Sequence, residues 1–430
     1  MPLLKRLGLD RPELRAWAMY DWANSSFETT IVTAIFPVYF IAVAAANLPP
    51  AEATRWLAAA TTIALAVSAV LAPILGAIAD YAPLKQRLLG IFMMIGAAAS
   101  AGLFFIRQGS WFAAAVLFAL GNIGFAGSLT FYDSLLPHIA GEDEIDRVST
   151  AGYAVGYLGG GLLLALNVAW IISPSTFGLR DTAQASRLSF LSVALWWPLF
   201  TIPLFRSVAE PRIADLRTSQ STTALIATAF RGLAHTLREL RRYKQAFLLL
   251  IAYVIYSDGI NTIIRMATSY GTEIGLRQGS LITAILVVQF VGIPFSFLFG
   301  MLADSIGAKT SVFISLAVYA IITVMGYYMR TERDFYLLAV MVAAVQGGSQ
   351  ALSRSMFASM IPRDRSSEFF GFFSIFEKFV AIAGPAIFGL TSAFAGSTRS
   401  AILSVLVFFV IGAAVLAVVD VKEGQRAAAG

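Results

Sequence analysis

Twelve runs of predominantly apolar residues, each long enough to cross a hydrocarbon layer about 30 Å thick, constrain this chain more than any other feature. They lie near 16–46, 54–79, 88–106, 110–136, 149–172, 187–205, 246–272, 279–302, 310–329, 335–361, 368–394 and 398–419. A backbone facing lipid has to satisfy its own hydrogen bonds, which points to helices. The runs are continuous and lack the two-residue alternation of a barrel strand. Hydrophobic residues make up 58% of the chain and charged ones 13%, about half the charged share of a soluble domain. The fold class expected is an all-α, multi-pass membrane protein of twelve transmembrane helices.

Basic residues set the orientation, because Lys and Arg accumulate in short cytoplasmic loops. Most of the 31 Lys and Arg fall on one side if both termini are cytoplasmic, among them Lys5, Arg6, Arg11, Arg15, Lys85 and Arg87. The net charge of +6 therefore faces anionic lipid heads, and no basic domain stands apart to bind nucleic acid. With no cysteine and two histidines, His138 and His235, neither a disulfide nor a Cys/His metal cluster can be built. No cofactor is expected. The first apolar run is too long for a cleavable leader and carries charges, so it reads as a retained helix.

Hydropathy breaks between Arg206 and Gln245, dividing the chain into an N-terminal six-helix bundle (1–205), a cytoplasmic linker (206–245) and a C-terminal six-helix bundle (246–430). In the linker Ile226, Phe230, Leu233, Leu237 and Leu240 recur at helical spacing among Arg231, Arg238, Arg241 and Arg242, an amphipathic helix suited to the membrane surface. The halves also repeat one another. Gly76, Ala79, Asp80 and Lys85 recur as Gly300, Ala303, Asp304 and Lys309, Pro137 as Pro362, and Asp21 and Asn24 as Asp258 and Asn261. Conserved order at equivalent helices marks a duplicated unit, hence two pseudo-symmetric bundles.

A charge at bilayer depth costs about 2.5–3.5 kcal/mol or more and is expected to face a cavity or a partner. Asp21, Asn24 and Glu28 share one face of the first helix, and Asp258, Asn261 and Arg265 share one face of the seventh. Glu28 and Arg265 can serve as a structural ion pair, or can receive the ammonium and carboxylate of a zwitterion. Glu28 is the first candidate for a proton carrier and Asp21 the second. Asp133, Arg354 and Glu377 are further internal charges, and Tyr20 and Gln350 complete the candidate binding set. Asp133 and Arg354 lie near helix ends, where pairing or snorkelling competes with substrate contact.

The loop GAIADYAPLKQR and its copy GMLADSIGAKT each put an Asp at a helix end and a base five residues on. An Asp accepting from a neighbouring helix N-terminus, with cations nearby, makes a latch that breaks when that side opens, so Asp80, Lys85, Arg87, Asp304 and Lys309 are candidate gating residues. Glycines in the fifth helix (Gly152, Gly156, Gly159, Gly160 and Gly161) suit close helix packing. His138 reads as part of a solvated acidic loop with Glu142, Asp143, Glu144 and Asp146. Without a matching Ser or Cys nucleophile or a Walker loop, neither an enzyme nor an ATP-driven pump is indicated.

The duplicated loop resembles the signature of the major facilitator superfamily, the second copy more closely, since the first has Tyr81, Ala82 and Pro83 in place of a small residue and Gly. AWAMYDWANSSFETTIVTAIFPVYF, YSDGINTI, QALSRSMFASMIP and SSEFFGFFSIFEKF together resemble the vacuole-effluxer family linked to autophagy and its prokaryotic relatives, over nearly the whole chain. The resemblance implies two pseudo-symmetric bundles, alternating access, and efflux of amino acids. The expected protein is a proton-coupled, monomeric secondary transporter of a small organic solute, in a prokaryotic inner membrane, or in a vacuolar membrane if eukaryotic. A larger amphipathic solute and a non-transporting receptor or scaffold are the alternatives.

Overall fold

The computed structural model describes residues 2–81, 83–211, 243–273, 276, 278–380 and 402–429. At some helix-end positions, Arg265 and Glu377 among them, only the backbone is described. The expected amphipathic linker helix lies outside the described residues.

The first span, α1 (Pro12–Ala44), starts with proline at its first helical position, where a missing N–H costs nothing. It is followed by α2 (Pro50–Tyr81), α3 (Lys85–Leu103), α4 (Trp111–Ile139), α5 (Ile145–Ile172) and α6 (Thr182–Ser207). The second half comprises α7 (Lys244–Glu273), α8 (Gln278–Ile306), α9 (Ala308–Tyr328), α10 (Glu332–Ser359), α11 (Ser366–Val380) and α12 (Leu406–Ala417). Among the described residues ten helices are long and apolar enough to span a bilayer, and an eleventh candidate, Ile402–Ala417 with Val421–Ala428, bends by 60°. The remaining expected span begins with α11. Local signals fix several starts: the Asp181 carboxylate accepts from Gln184 N at α6, and Thr331 with Asp334 forms a capping box at α10.

Burial is inverted relative to a soluble protein. Ile63, Val70, Leu195 and Val410 stand more than half exposed on outer faces, whereas Asp21, Asp80, Lys85, Asp258, Arg354 and Glu368 are buried. An apolar exterior around a charged interior is what a lipid solvent demands.

In the first half α1 packs on α5 and α6, and α3 on α4 and α6; in the second half α7 packs on α12 and α8 on α10. The halves meet through α2 with α11, α5 with α8, α4 with α11, and α5 with α10. Advancing each helix by six positions converts α2–α11 into α8–α5 and α4–α11 into α10–α5, so the interface itself carries the pseudo-twofold.

Both termini lie on one side. Gly8 sits on the backbone of Arg147 and Val148 at the start of α5, and the C-terminal helix Val421–Ala429 bonds to Gln245 at the start of α7 and to Ser359 at the end of α10. A cavity of about 650 Å³ separates the halves. It reaches Leu57 and Thr61 at the start of α2, Gly326 and Met329 at the end of α9, and Phe335 at the start of α10. Those ends are remote from the termini, and on the termini side the halves are joined.

Candidate functional site: the cavity and its closed end

Arg354 of α10 closes the cavity floor. Its Nη1 lies 3.1 Å from Asp133 Oδ1 and 3.6 Å from Asp21 Oδ2, while Nε donates to Ser149 Oγ (3.0 Å) and Nη2 to the Ser149 carbonyl (2.9 Å). Every one of these partners belongs to the first half. The guanidinium also lies over Tyr153, Trp17 and Tyr132, at 4.7, 4.9 and 5.6 Å from the ring centroids. An aromatic box of this kind stabilises a desolvated cation. Tyr132 OH donates to Asp21 Oδ2 at 2.7 Å and fixes that carboxylate. Room for the cluster comes from Gly152, where a Cβ would stand 2.6 Å from Asp21 Oδ2 and 3.2 Å from Arg354 Nη2.

The stripe on α1 runs up the wall from this floor. Asn24 is buried, and its Nδ2 has no hydrogen-bond partner among the described residues. Glu28 is exposed to the cavity and opens a π-helical segment, Glu28–Ala34, in which the Ile35 amide bonds back to Thr30 O at 2.9 Å. Pro37 follows within a turn, and wide turns of this type recur at functional sites. Asn261 and Gln350 also line the cavity. Asp258 and Tyr20 are buried behind the lining, Tyr20 against Tyr132. The side chains of Arg265 and Glu377 lie outside the description.

Between α2 and α11 lies a second junction. Asp80 accepts from the amides of Ser367 (3.1 Å) and Glu368 (2.7 Å), the first turn of α11, where exposed N–H groups and the helix dipole favour an anion. Lys85 Nζ lies 2.8 Å from Asp80 Oδ1, 2.7 Å from Ser366 Oγ and 3.2 Å from His138 Nε2. Ser366 Oγ donates to the Ser134 carbonyl, and Ser367 Oγ to Ser134 Oγ. Glu210, past the end of α6, accepts from the Lys85 and Gln86 amides at 2.7 and 2.9 Å and so holds the start of α3.

The second copy of the loop is built differently. Asp304 pairs with Arg147 of α5 at 3.3 Å, and Lys309 donates to the Ala417 and Val419 carbonyls at the end of α12. The copy that departs from the superfamily signature thus makes the fuller cross-bundle network. Arg87 is exposed on α3. His138 lies at the end of α4 inside the α2–α11 junction, not in a solvated loop. Its partner Ser366 lies 3.1 Å from Nε2 and announces itself in sequence only as the polar start of α11 after Pro362.

Residues 56–429 match the sequence profile of the family described as Vacuole effluxer Atg22 like. The chain is 37% identical over 419 residues to the uncharacterized MFS-type transporter YxiO of Bacillus subtilis, covering 96% of this chain and 97% of that one. It is 26% identical to Autophagy-related protein 22 of Kluyveromyces lactis, covering 80% of this chain and 74% of that protein. Against Autophagy-related protein 22-1 of Aspergillus niger the identity is 25% over 65% of this chain, which spans about half (48%) of the fungal protein. Among solved structures, the fold is similar to the major facilitator proton:xylose symporter XylE (TM-score 0.70, 14% identity, 94% of each chain). It is also similar to FucP in its outward conformation (TM-score 0.67, 12% identity, 96% of this chain and 99% of that one).

Proposed function

This chain belongs to the vacuole effluxer Atg22-like family and is a multi-pass membrane transporter of the major facilitator fold, and on that premise we propose that it moves a small zwitterionic solute, an amino acid, by proton-coupled alternating access. The observation that carries this reading is Arg354. A guanidinium of one half, held by two carboxylates of the other at the floor of a cavity reaching the opposite side, is a contact that both a solute and a proton can contest.

Of the five N–H donors of a guanidinium, three serve Ser149 and Asp133. A solute carboxylate takes the donors that face the cavity and competes with Asp133 for the rest. The ammonium is drawn to Glu28, with Asp21 behind it and Asn24 as a hydrogen-bond donor. A proton on Asp21 removes one of the charges that hold Arg354 across the halves, with Glu28 as the cavity-facing carrier that passes it in, so solute and proton together release the floor. The density of Lys and Arg puts the closed side in the cytoplasm. The duplicated Asp loops, with Lys85 and Lys309, form the cytoplasmic gate, and the protein works as a monomer in a prokaryotic inner membrane.

A second reading draws on cavity size and lining. A volume of about 650 Å³ bounded by Phe118, Phe125, Phe370 and Phe373 suits a larger amphipathic solute as well, since drug-sized ligands occupy about 300–1,000 Å³.

Proteoliposome uptake decides between them, using labelled amino acids and amphipathic organic ions with and without a pH gradient. One proton per amino acid makes a gradient of about one pH unit support about tenfold accumulation. Glu28→Gln is expected to lose that accumulation while retaining exchange. Flux of the amphipaths alone selects the second reading, and gradient-independent amino-acid flux in both proteins removes Glu28 from coupling.

A further inference from the structure

His138 takes no part in the solute site, yet it is enclosed in the α2–α11 junction. Lys85 is 3% exposed there, so its ammonium depends on protein acceptors. An ammonium has three donors. Three acceptors surround this one: Asp80 Oδ1, Ser366 Oγ and His138 Nε2. Ser366 has a single proton, which goes to the Ser134 carbonyl at 2.9 Å, and this leaves its lone pairs for Lys85. The imidazole also bonds to the Arg363 backbone, and its Nε2 faces both Lys85 Nζ (3.2 Å) and Ser366 Oγ (3.1 Å). Between an ammonium that can only donate and a hydroxyl whose proton is engaged by Ser134, the neutral ring presents Nε2 as an acceptor. All three donors of Lys85 are satisfied only while His138 Nε2 carries no proton.

We propose that His138 is a positioning residue of the transport cycle, which holds Lys85 in the closed junction when neutral and releases it when protonated, so that acid on the termini side opens that side. A proton on Nε2 takes the acceptor from one ammonium donor and sets two cations 3.2 Å apart, between a half-buried ring and a buried ammonium. The charged groups around the ring reinforce this. Lys85 of α3 and Arg363 before α11 face it as cations. Asp80 of α2 is already engaged by Lys85 and two amides, and Glu210 by the α3 amides. Near the adjoining Ile139 carbonyl, Arg11 and Glu144 neutralise each other. Glu368, in the same first turn of α11, is paired through Oε2 with Arg365. Each of these carboxylates is thus already engaged by a cation or by amides.

The closed state binds fewer protons than the open one, so acid favours opening. If the proton enters only the open junction with ordinary imidazole affinity, the open-to-closed ratio rises about tenfold between roughly pH 7.5 and 5.5. The inference rests on the reading that this junction parts during transport.

The test uses the whole 430-residue chain, which contains no cysteine, with spin labels at Glu142→Cys and Asp364→Cys, exposed positions in the α4–α5 and α10–α11 connections. Double electron–electron resonance across pH reports the closed and open populations in the parent and in His138→Gln, which keeps a neutral acceptor that does not titrate. The expected result is acid opening in the parent and a flat profile in His138→Gln. A pH response retained in His138→Gln overturns the proposal, as does a parent that stays closed at every pH. The same labels in Arg354→Gln separate the two levels of failure: opening there means that the junction moves and only the role of His138 is wrong, whereas a junction closed in every variant sinks the gate reading too. A variant that does not fold leaves a direct measurement. With His235 replaced by Asn, His138 is the sole imidazole, and an NMR titration that follows the open population supports the proposal, while one independent of it refutes it.

Discussion

Arg354→Gln is expected to lower solute uptake by about 100-fold or more, because removing one partner of a buried ion pair costs about 3–5 kcal/mol. Here the loss takes the shared guanidinium from Asp133 and Asp21 at the cavity floor, leaving Asp21 the Tyr132 hydroxyl, and also removes two bonds to Ser149. Those bonds all cross between the halves, so the cost falls on the closed state, and cysteine accessibility on the termini side rises as uptake falls. Arg354→Lys keeps the charge but not the planar fork, whose three separate nitrogens reach Ser149 Oγ, the Ser149 carbonyl and Asp133, so it recovers only part of the activity. Asp133→Asn alone leaves the guanidinium with Asp21 and Ser149, and the expected loss is nearer tenfold. Arg354→Gln combined with Asp133→Asn is less impaired than the sum of the two, since both mutations remove the same Arg354–Asp133 contact. Uptake by Arg354→Gln within about threefold of the parent would remove this cluster from the mechanism.

The two kinds of information in this chain differ in range. Helix positions follow from local apolarity, and α4, expected over 110–136, occupies Trp111–Ile139. The duplication was also legible, because Asp80 and Asp304 sit in matching contexts along the chain. That Asp80 accepts from a helix N-terminus follows from carboxylate chemistry, but which helix is decided by α2 packing on α11, 287 residues away in sequence. Distance also hides the pairing of Arg354 with Asp133. Each charge is conspicuous by itself, yet nothing local says that one closes on the other, and in sequence the equally reasonable partner for a cavity acid was Arg265. His138 failed for a different reason. Four acids follow it within eight residues, and composition averaged over that window reads as a solvated loop, although the side chain belongs to the last turn of α4. The π-helical segment at Glu28 left no periodic trace either, because the residues after Glu28, three Thr with Ile, Val and Ala, mark no single face.

Glycines at the repeated loops give the second large effect, and the two copies separate backbone from side-chain obstruction. A Cβ on Gly76 would fall on the main chain of Ser367 and Glu368, the atoms whose amides bind Asp80. Overpacking costs about 1–3 kcal/mol, and relief here requires α11 to move off α2, which also breaks the Asp80 bonds. Gly76→Ala is therefore expected to reduce uptake at least tenfold and to open the termini side. No substitution at Ser367 restores it, since the obstacle is backbone. At the equivalent Gly300, a Cβ would meet the Thr150 hydroxyl, with Arg147 Cα at an ordinary 3.5 Å. That hydroxyl only bonds back to the Asp146 and Arg147 carbonyls in its own helix, so it can be removed at little cost. Gly300→Ala is expected to impair transport less, and Thr150→Ala to rescue it. Full activity in Gly76→Ala, or failure of Thr150→Ala to restore Gly300→Ala, would mean that close approach of α2 to α11 and of α5 to α8 is not what limits closure.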